Sequence, residues 1–195
     1  MSRFTAVFPG PKPLIGMIAL PPLPGYPAFT TIEALIGVAL ADLAALEQGG
    51  VDGVLVENDF DQPHTLVGGA EIVAAMTRVT REVVSRARVP VGIEVLLNDW
   101  RASLAVAAVT GAGFIRLDFF VDRVESKLGV IEPEPAEVIA YRKKIRAESA
   151  ILSRSATFQA DTIRRREFGL LLMSLMTLDI WSIWRPSGAG QERHW

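Results

Sequence analysis

The sequence predicts an α/β fold of the (β/α)8 barrel type, and two observations lead to this prediction. Four apolar, strand-like runs begin near residues 14, 51, 89 and 114, and helical patterns fill the gaps between them. Three of these runs end in acids and amides, at residues 57–59, 98–99 and 122. Parallel strands buried on both faces read as continuous apolar runs, and barrel proteins bind ligands where their strands end. The strand ends therefore predict a ligand-binding face.

Length and composition limit the possibilities. A chain of 195 residues with 50% hydrophobic content can bury one sizeable core. A complete barrel usually needs about 250 residues, so we predict an incomplete barrel of four to five βα units. The net charge of −2 argues against a nucleic-acid partner, and the absence of cysteine excludes thiolate chemistry and disulfides. The N-terminus lacks a signal-peptide core, which predicts a cytoplasmic protein.

The helices follow from their end signals. The first is predicted over Ile32–Gln48, with Thr30 or Thr31 as N-cap and Gly49 after its last turn. The second spans about residues 70–87 and carries one apolar stripe. The third spans about residues 100–109 and begins after Asp99, a good N-cap. The fourth begins after Pro135 and ends in a basic cluster that complements the carboxyl end of a helix.

The chain changes character after Ser149. A fifth strand is expected over residues 150–152, but polar residues interrupt the run from Ser153 onward. We therefore divide the chain into an arm (1–12), a βα-repeat domain (13–149) and a divergent tail (150–195), which we interpret as truncated or read out of frame. Residues 168–184 are apolar but contain Asp179, which disfavours a membrane span.

The period-two pattern of the strands predicts which charged side chains meet. Charged positions alternate with apolar ones and point into the barrel, where five side chains converge near one mouth: Glu57, Glu94, Asn98, Arg116 and Asp118. In the functional interpretation Glu94 or Asp118 is the general acid or base. Arg116 binds an anionic group of the substrate, and the other substrate-binding residues are Glu57, Asn58 and Asn98.

Two alternatives to catalysis by these residues remain open. The first is a network that only neutralises buried charges, since paired charges are common without catalysis. The second is Mg²⁺ binding by the carboxylates, but no spacing matches a known ligand pattern, so we predict no metal site. His64, in the loop after the second strand, is either a general base or an exposed loop residue. The sequence identifies no cofactor, since dinucleotide, Walker and serine-hydrolase motifs are absent.

Four linked segments resemble the BtpA family: residues 12–25 (KPLIGMIALPPLPG), 49–58 (GGVDGVLVEN), 97–99 (LND) and 111–116 (GAGFIR). The resemblance covers about residues 12–147. It implies a (β/α)8 barrel protein, soluble or peripherally associated with a membrane. The family is named for a cyanobacterial factor needed to accumulate photosystem I, and relatives also occur in organisms without photosynthesis.

Two departures from the family pattern stand out. The family often has histidine where this chain has Ala19, at the end of the first strand. The family also continues with a clear fifth strand and a late glycine-rich turn that binds phosphate, and the sequence after Ser149 does not follow that pattern. Barrel closure and the family's late phosphate-binding turn therefore do not carry over to this chain from the resemblance.

Three functions remain as hypotheses. The first is a BtpA-like barrel protein that supports photosystem or membrane-complex biogenesis. The second is a barrel enzyme that acts on a small phosphorylated or carboxylated metabolite, such as a sugar or nucleoside derivative. The third is a truncated, inactive product. The corresponding partners are a small-molecule ligand at the strand ends, a membrane complex, or a second copy of the chain.

Overall fold

The computed structural model describes residues 3–126 and 128–153. This part of the chain contains five helices and seven strands, which alternate from α1 to β4. The helices are α1 (Arg3–Val7), α2 (Ile32–Gln48), α3 (Ala70–Arg86), α4 (Trp100–Thr110) and α5 (Pro135–Lys144). The strands are β1 (Ile15–Ala19), β2 (Gly53–Glu57), β3 (Val91–Glu94), β4 (Phe114–Leu117), β5 (Val124–Ser126), β6 (Gly129–Ile131) and β7 (Ala150–Ser153).

Five of the strands form one parallel sheet in the order β1-β2-β3-β4-β7. Each connection between neighbouring strands contains a helix, which is the repeat of a βα barrel. The predicted α/β, barrel-type fold is therefore confirmed. Within the described residues the sheet stays open, with β1 and β7 at its two edges.

The helix ends confirm the predicted signals. The Thr31 hydroxyl accepts a hydrogen bond from the Ala34 N–H at the start of α2, and Gly49 follows the last turn. Asp99 caps α4 by accepting from the Ala102 N–H at 2.9 Å. Gly111 ends α4 in the left-handed conformation (φ +84°), which glycine adopts without steric cost.

The two faces of the sheet pack against different partners. On the outer face, Val54, Val56 and Ile93 belong to the main core with the helices. On the inner face, Leu55 and Phe114 pack with Phe8, which follows α1. These contacts confirm the period-two alternation expected of the strands: on β2, Val54 and Val56 face outward and Leu55 faces inward. Helix α1 and Phe8 lie within the segment predicted only as an arm.

Two structural features differ from the sequence analysis. The fifth strand forms despite its polar end: β7 pairs in parallel with β4 from Phe114↔Ala150 to Leu117↔Ser153. The sheet therefore extends beyond residue 149. An antiparallel hairpin, β5–β6, also lies between β4 and α5 and was not predicted. The sequence signal of this hairpin is weak, because each strand has only three residues. The turn between them includes Gly129, which adopts a positive φ of +123°.

Strand β3 is shorter than predicted, which corrects the position of Asn98. We expected Glu94 and Asn98 to share a strand face, but β3 ends at Glu94. The next two backbone N–H groups bond to side chains instead of a neighbouring strand: Val95 donates to the Ser103 hydroxyl and Leu96 to Asn58. The chain therefore leaves the sheet before Asn98.

None of the helices in the described residues is long and apolar enough to cross a membrane. The apolar residues 168–184, considered above as a span, lie outside the described residues.

Candidate functional site

The strand register places charged residues side by side on the inner face. Ala19 pairs with Glu57, Glu57 with Glu94, and Arg116 with Leu152. These positions form the row at the carboxyl ends of the strands, two residues along from the apolar row that contains Leu55 and Phe114. The charged residues thus lie on the central strands of the sheet, between small or apolar neighbours on the edge strands.

Arg116 is the centre of this charged cluster. Its Nε lies 3.1 Å from Glu94 Oε2, its Nη2 donates to Asp118 Oδ1 at 3.0 Å, and its Nη1 lies 3.7 Å from Glu57 Oε2. The Glu94 side chain is fully buried, whereas one third of the Arg116 side chain is exposed. The structure therefore brings together four of the five side chains predicted to converge, around an arginine side chain that is partly exposed.

The cluster changes the proton affinity of Glu57. Burial raises the pKa of the Glu57 carboxyl from 4.5 to about 7; Arg116 lowers it, and Asp59 and Asp118 raise it further. Burial also lowers the pKa of Arg116, but Glu94, Asp118 and Glu57 outweigh that effect and raise it. Glu57 consequently exchanges its proton near neutral pH while Arg116 stays charged. Glu57 was predicted as a substrate-binding residue, and a pKa near 7 is the range in which a general acid or base is most effective.

A buried network links the loops around the cluster. The Asn58 Oδ1 accepts a hydrogen bond from the Leu96 N–H, and its Nδ2 donates to Asp61 Oδ2. The other oxygen of Asp61 accepts from the Leu23 N–H. Side chains of one loop thus connect the loops that follow β1, β2 and β3. Asn58 was predicted to bind substrate, and its amide bonds here to the protein itself.

Asn98 makes the equivalent link to the loop after β4. Its Nδ2 donates to the Phe119 carbonyl at 3.0 Å, and its Oδ1 accepts from the Phe119 N–H at 2.9 Å. Asn98 therefore bonds to the residue that follows Asp118, and it is not one of the carboxylate partners of Arg116. The role of substrate binding stays a prediction for both asparagines.

The remaining candidates lie elsewhere. His64 lies in the loop after β2, where its Nε2 is 2.9 Å from Gln62 Nε2 and 3.7 Å from Asp59 Oδ1. Among residues 3–126 and 128–153, no group of three His, Asp or Glu side chains is arranged to hold a metal ion.

The sequence analysis missed one member of the site's surroundings. Asp61 is 1% exposed and connects two loops, but we interpreted its segment only as the context of His64. Its signal was its place three residues after Asn58, because Asn and Asp side chains commonly bond to nearby polar groups in turns. The partner Leu23, 38 residues away in sequence, gave no local signal.

Comparisons with known proteins agree with this architecture. The model of the BtpA family matches residues 10–174. An uncharacterised protein of Archaeoglobus fulgidus is 37% identical over 142 residues, which cover 73% of this chain and 58% of the relative. The photosystem I biogenesis protein BtpA of Synechocystis is 36% identical over 144 residues, covering 73% and 50%.

A third relative extends the range of organisms. An uncharacterised protein of Pyrococcus horikoshii is 33% identical over 143 residues, covering 73% of this chain and 55% of the relative. The chain thus spans about half the length of these relatives. The family match includes the strand β7, which lies beyond the segments that carried the resemblance. The chain belongs to the BtpA family.

Proposed function

We propose that the protein acts as a barrel enzyme on a small phosphorylated or carboxylated metabolite, with Glu57 as the proton carrier and Arg116 as the anion-binding group. One observation carries the proposal: a carboxyl with a pKa of about 7 lies 3.7 Å from a partly exposed guanidinium at the strand ends. General acid–base catalysis is most effective when the pKa lies near the working pH.

The three contacts of Arg116 suggest how the ligand enters. Glu94 and Asp118 hold the guanidinium at 3.1 and 3.0 Å, while Glu57 is further away. When Glu57 is protonated, Nη1 is the guanidinium nitrogen with the weakest electrostatic partner. An anionic group of the ligand binds there, and its negative charge favours the protonated form of Glu57. Binding and proton uptake are thereby coupled.

Isothermal titration calorimetry on the full chain tests this proposal. A hexose phosphate and the same hexose without phosphate are the probes, each measured in two buffers of different ionisation enthalpy at pH 7.5. We expect binding of the phosphorylated probe with uptake of a proton. The variant Glu57→Gln is expected to bind without proton uptake, and Arg116→Lys to bind more weakly.

The matched control is Arg123→Lys, because Arg123 pairs with exposed carboxylates of the hairpin, away from the cluster. It is expected to bind the probe as the wild type does. Equal affinity for the two hexoses, or an Arg116→Lys variant that binds as well as the control, would contradict the proposal.

The second candidate function is support of photosystem or membrane-complex biogenesis. It is favoured by the similarity to the Synechocystis protein named for that role. Expression of this chain in a cyanobacterium that lacks its own BtpA tests it, with photosystem I content as the measurement. Restoration by both the wild type and Arg116→Lys would favour an assembly role that does not depend on the charged cluster.

A further inference from the structure

The side chain of Asn98 and the backbone of Phe119 form a two-bond pair between neighbouring loops. Asn98 donates to the Phe119 carbonyl at 3.0 Å and accepts from the Phe119 N–H at 2.9 Å. A carboxamide has one donor side and one acceptor side, and a single residue's backbone satisfies both. The pair fixes the position and the orientation of this backbone segment.

The residue before Phe119 is Asp118, which carries one of the three carboxylates around Arg116. Strand β4 ends at Leu117, and Asp118 and Phe119 are the next two residues. The two bonds of the Asn98 amide tie Phe119 to the loop after β3. The Asp118 carboxylate is thereby presented to Arg116 Nη2 at 3.0 Å.

We propose that Asn98 is a positioning residue of the site: by pairing with Phe119, it holds Asp118 against Arg116, so that Glu57 remains the most weakly paired of the three carboxylates. This inference rests on the proposed function, in which Glu57 carries the proton. Four charged groups face or adjoin Glu57 from its own strand end and from the neighbouring strands: Asp59, Glu94, Arg116 and Asp118.

The backbone of Asn98 determines which variant tests the role. Its φ is +66°, in the left-handed region that asparagine and glycine adopt more readily than other residues. Asn98→Gly therefore removes the amide and keeps the backbone conformation accessible. Alanine at this position would add backbone strain to the loss of the amide, so that two effects would be mixed.

The experiment is a titration of the full chain by NMR, with ¹³C-labelled glutamate carboxyls. In the wild type, the Glu57 signal is expected to titrate near pH 7. In Asn98→Gly the midpoint is expected to fall towards the ordinary value of 4.5. Two causes act in the same direction: Asp118 moves away from Glu57, and Arg116, released from Asp118, turns towards Glu57.

A double-variant comparison separates positioning from a general structural effect. Asp118→Asn is expected to lower the Glu57 midpoint, and Asn98→Gly in that background is expected to lower it no further. Ser103→Ala is the control, because Ser103 also bonds to the β3 loop, at the Val95 N–H, but does not contact Phe119 or Asp118. It is expected to lower the melting temperature without moving the Glu57 midpoint.

Different outcomes identify different failures. A wild-type midpoint near 4.5 would refute the proposed function of Glu57. A wild-type midpoint near 7 that is unchanged in Asn98→Gly would refute the positioning role alone. If Asn98→Gly does not fold, Asn98→Ser is titrated instead. It removes the amide pair without adding a charge, so a midpoint below the wild type supports positioning, and one at or above it overturns the inference.

Discussion

The guanidinium of Arg116 contacts Glu94, a carboxylate without exposed surface, at 3.1 Å. Removal of one partner of a buried ion pair leaves an uncompensated charge in the protein interior. We expect Arg116→Met to lower the free energy of unfolding by about 3–5 kcal/mol at pH 8, measured by urea denaturation. The double variant Arg116→Met, Glu94→Gln is expected to recover part of this loss, because the buried charge is then absent.

The control for this prediction is Arg123→Met. Arg123 is half exposed and pairs with Glu125 and Glu132, which are also exposed. Exposed pairs contribute about 0–1 kcal/mol, so this variant is expected to unfold almost like the wild type. Equal losses in Arg116→Met and Arg123→Met would show that the buried contact contributes no more than a surface pair.

The raised pKa of Glu57 predicts a specific dependence of stability on pH. Between pH 4.5 and about 7 the folded protein keeps a proton on Glu57 that the unfolded chain has released. Stability therefore falls as pH rises through this window, by up to about 3 kcal/mol from this one group, and levels off above it. In Glu57→Gln this decline is expected to be absent. Urea denaturation from pH 4 to pH 8 measures it, and parallel curves for the two proteins would contradict the prediction.

Gly92 lies against the ring of Phe114 on the inner face of the sheet, so that a Cβ at this position would overlap the ring atoms. Phe114 is buried and packs edge-on against Phe8, with 5.3 Å between ring centroids, and cannot easily move. We expect Gly92→Ala to destabilise the protein by about 1–3 kcal/mol, measured as a lower melting temperature. In a Phe114→Leu background, where the side chain at position 114 is smaller, Gly92→Ala is expected to lower the melting temperature by less.

Gly113→Ala is the control for this variant. A Cβ at Gly113 would meet its nearest neighbour, Val7 Cγ1, at 3.8 Å, which is an ordinary van der Waals contact. Its melting temperature is expected to stay close to that of the wild type. A similar loss in the two variants would mean that removal of glycine, and not the overlap with Phe114, is responsible.

The Asp99 side chain accepts hydrogen bonds from two backbone N–H groups, whereas the Thr31 side chain caps α2 through one. Asp99 caps α4 through Ala102 and also accepts from the Gly68 N–H at 2.8 Å. The Thr31 hydroxyl accepts from the Ala34 N–H at 3.1 Å. We expect Thr31→Ala to cost about 1 kcal/mol and Asp99→Ala about 2 kcal/mol or more, since a second backbone donor loses its partner. Asp99→Asn should be intermediate. Equal losses at the two caps in urea denaturation would contradict this.

The fold was largely predictable because its signals are local and repeated. The strands β1 to β4 are short apolar runs, and α2 and α4 have the caps Thr31 and Asp99 and the stops Gly49 and Gly111. Alternation along β2 assigned Glu57 to the inner face, and the parallel arrangement then placed it next to Glu94. Four members of the charged cluster followed from these two rules.

The parts that were not predicted depend on contacts between distant segments. The N–H groups of Val95 and Leu96 bond to Ser103 and Asn58, and these bonds end β3 early. No local pattern distinguishes this strand end from a longer strand. The pKa of Glu57 was equally inaccessible, since it depends mainly on how completely the fold buries the carboxyl.

On the inner face, apolar side chains and charged side chains occupy different positions along the strands. Leu55 and Phe114 form the apolar row with Phe8, and Glu57 and Arg116 stand two residues further along the same strands. Because only alternate residues point inward, substitutions in the charged row leave the apolar row in place. A library that varies Ala19 and Glu57 would therefore change the charged row while the packing that maintains the sheet stays constant.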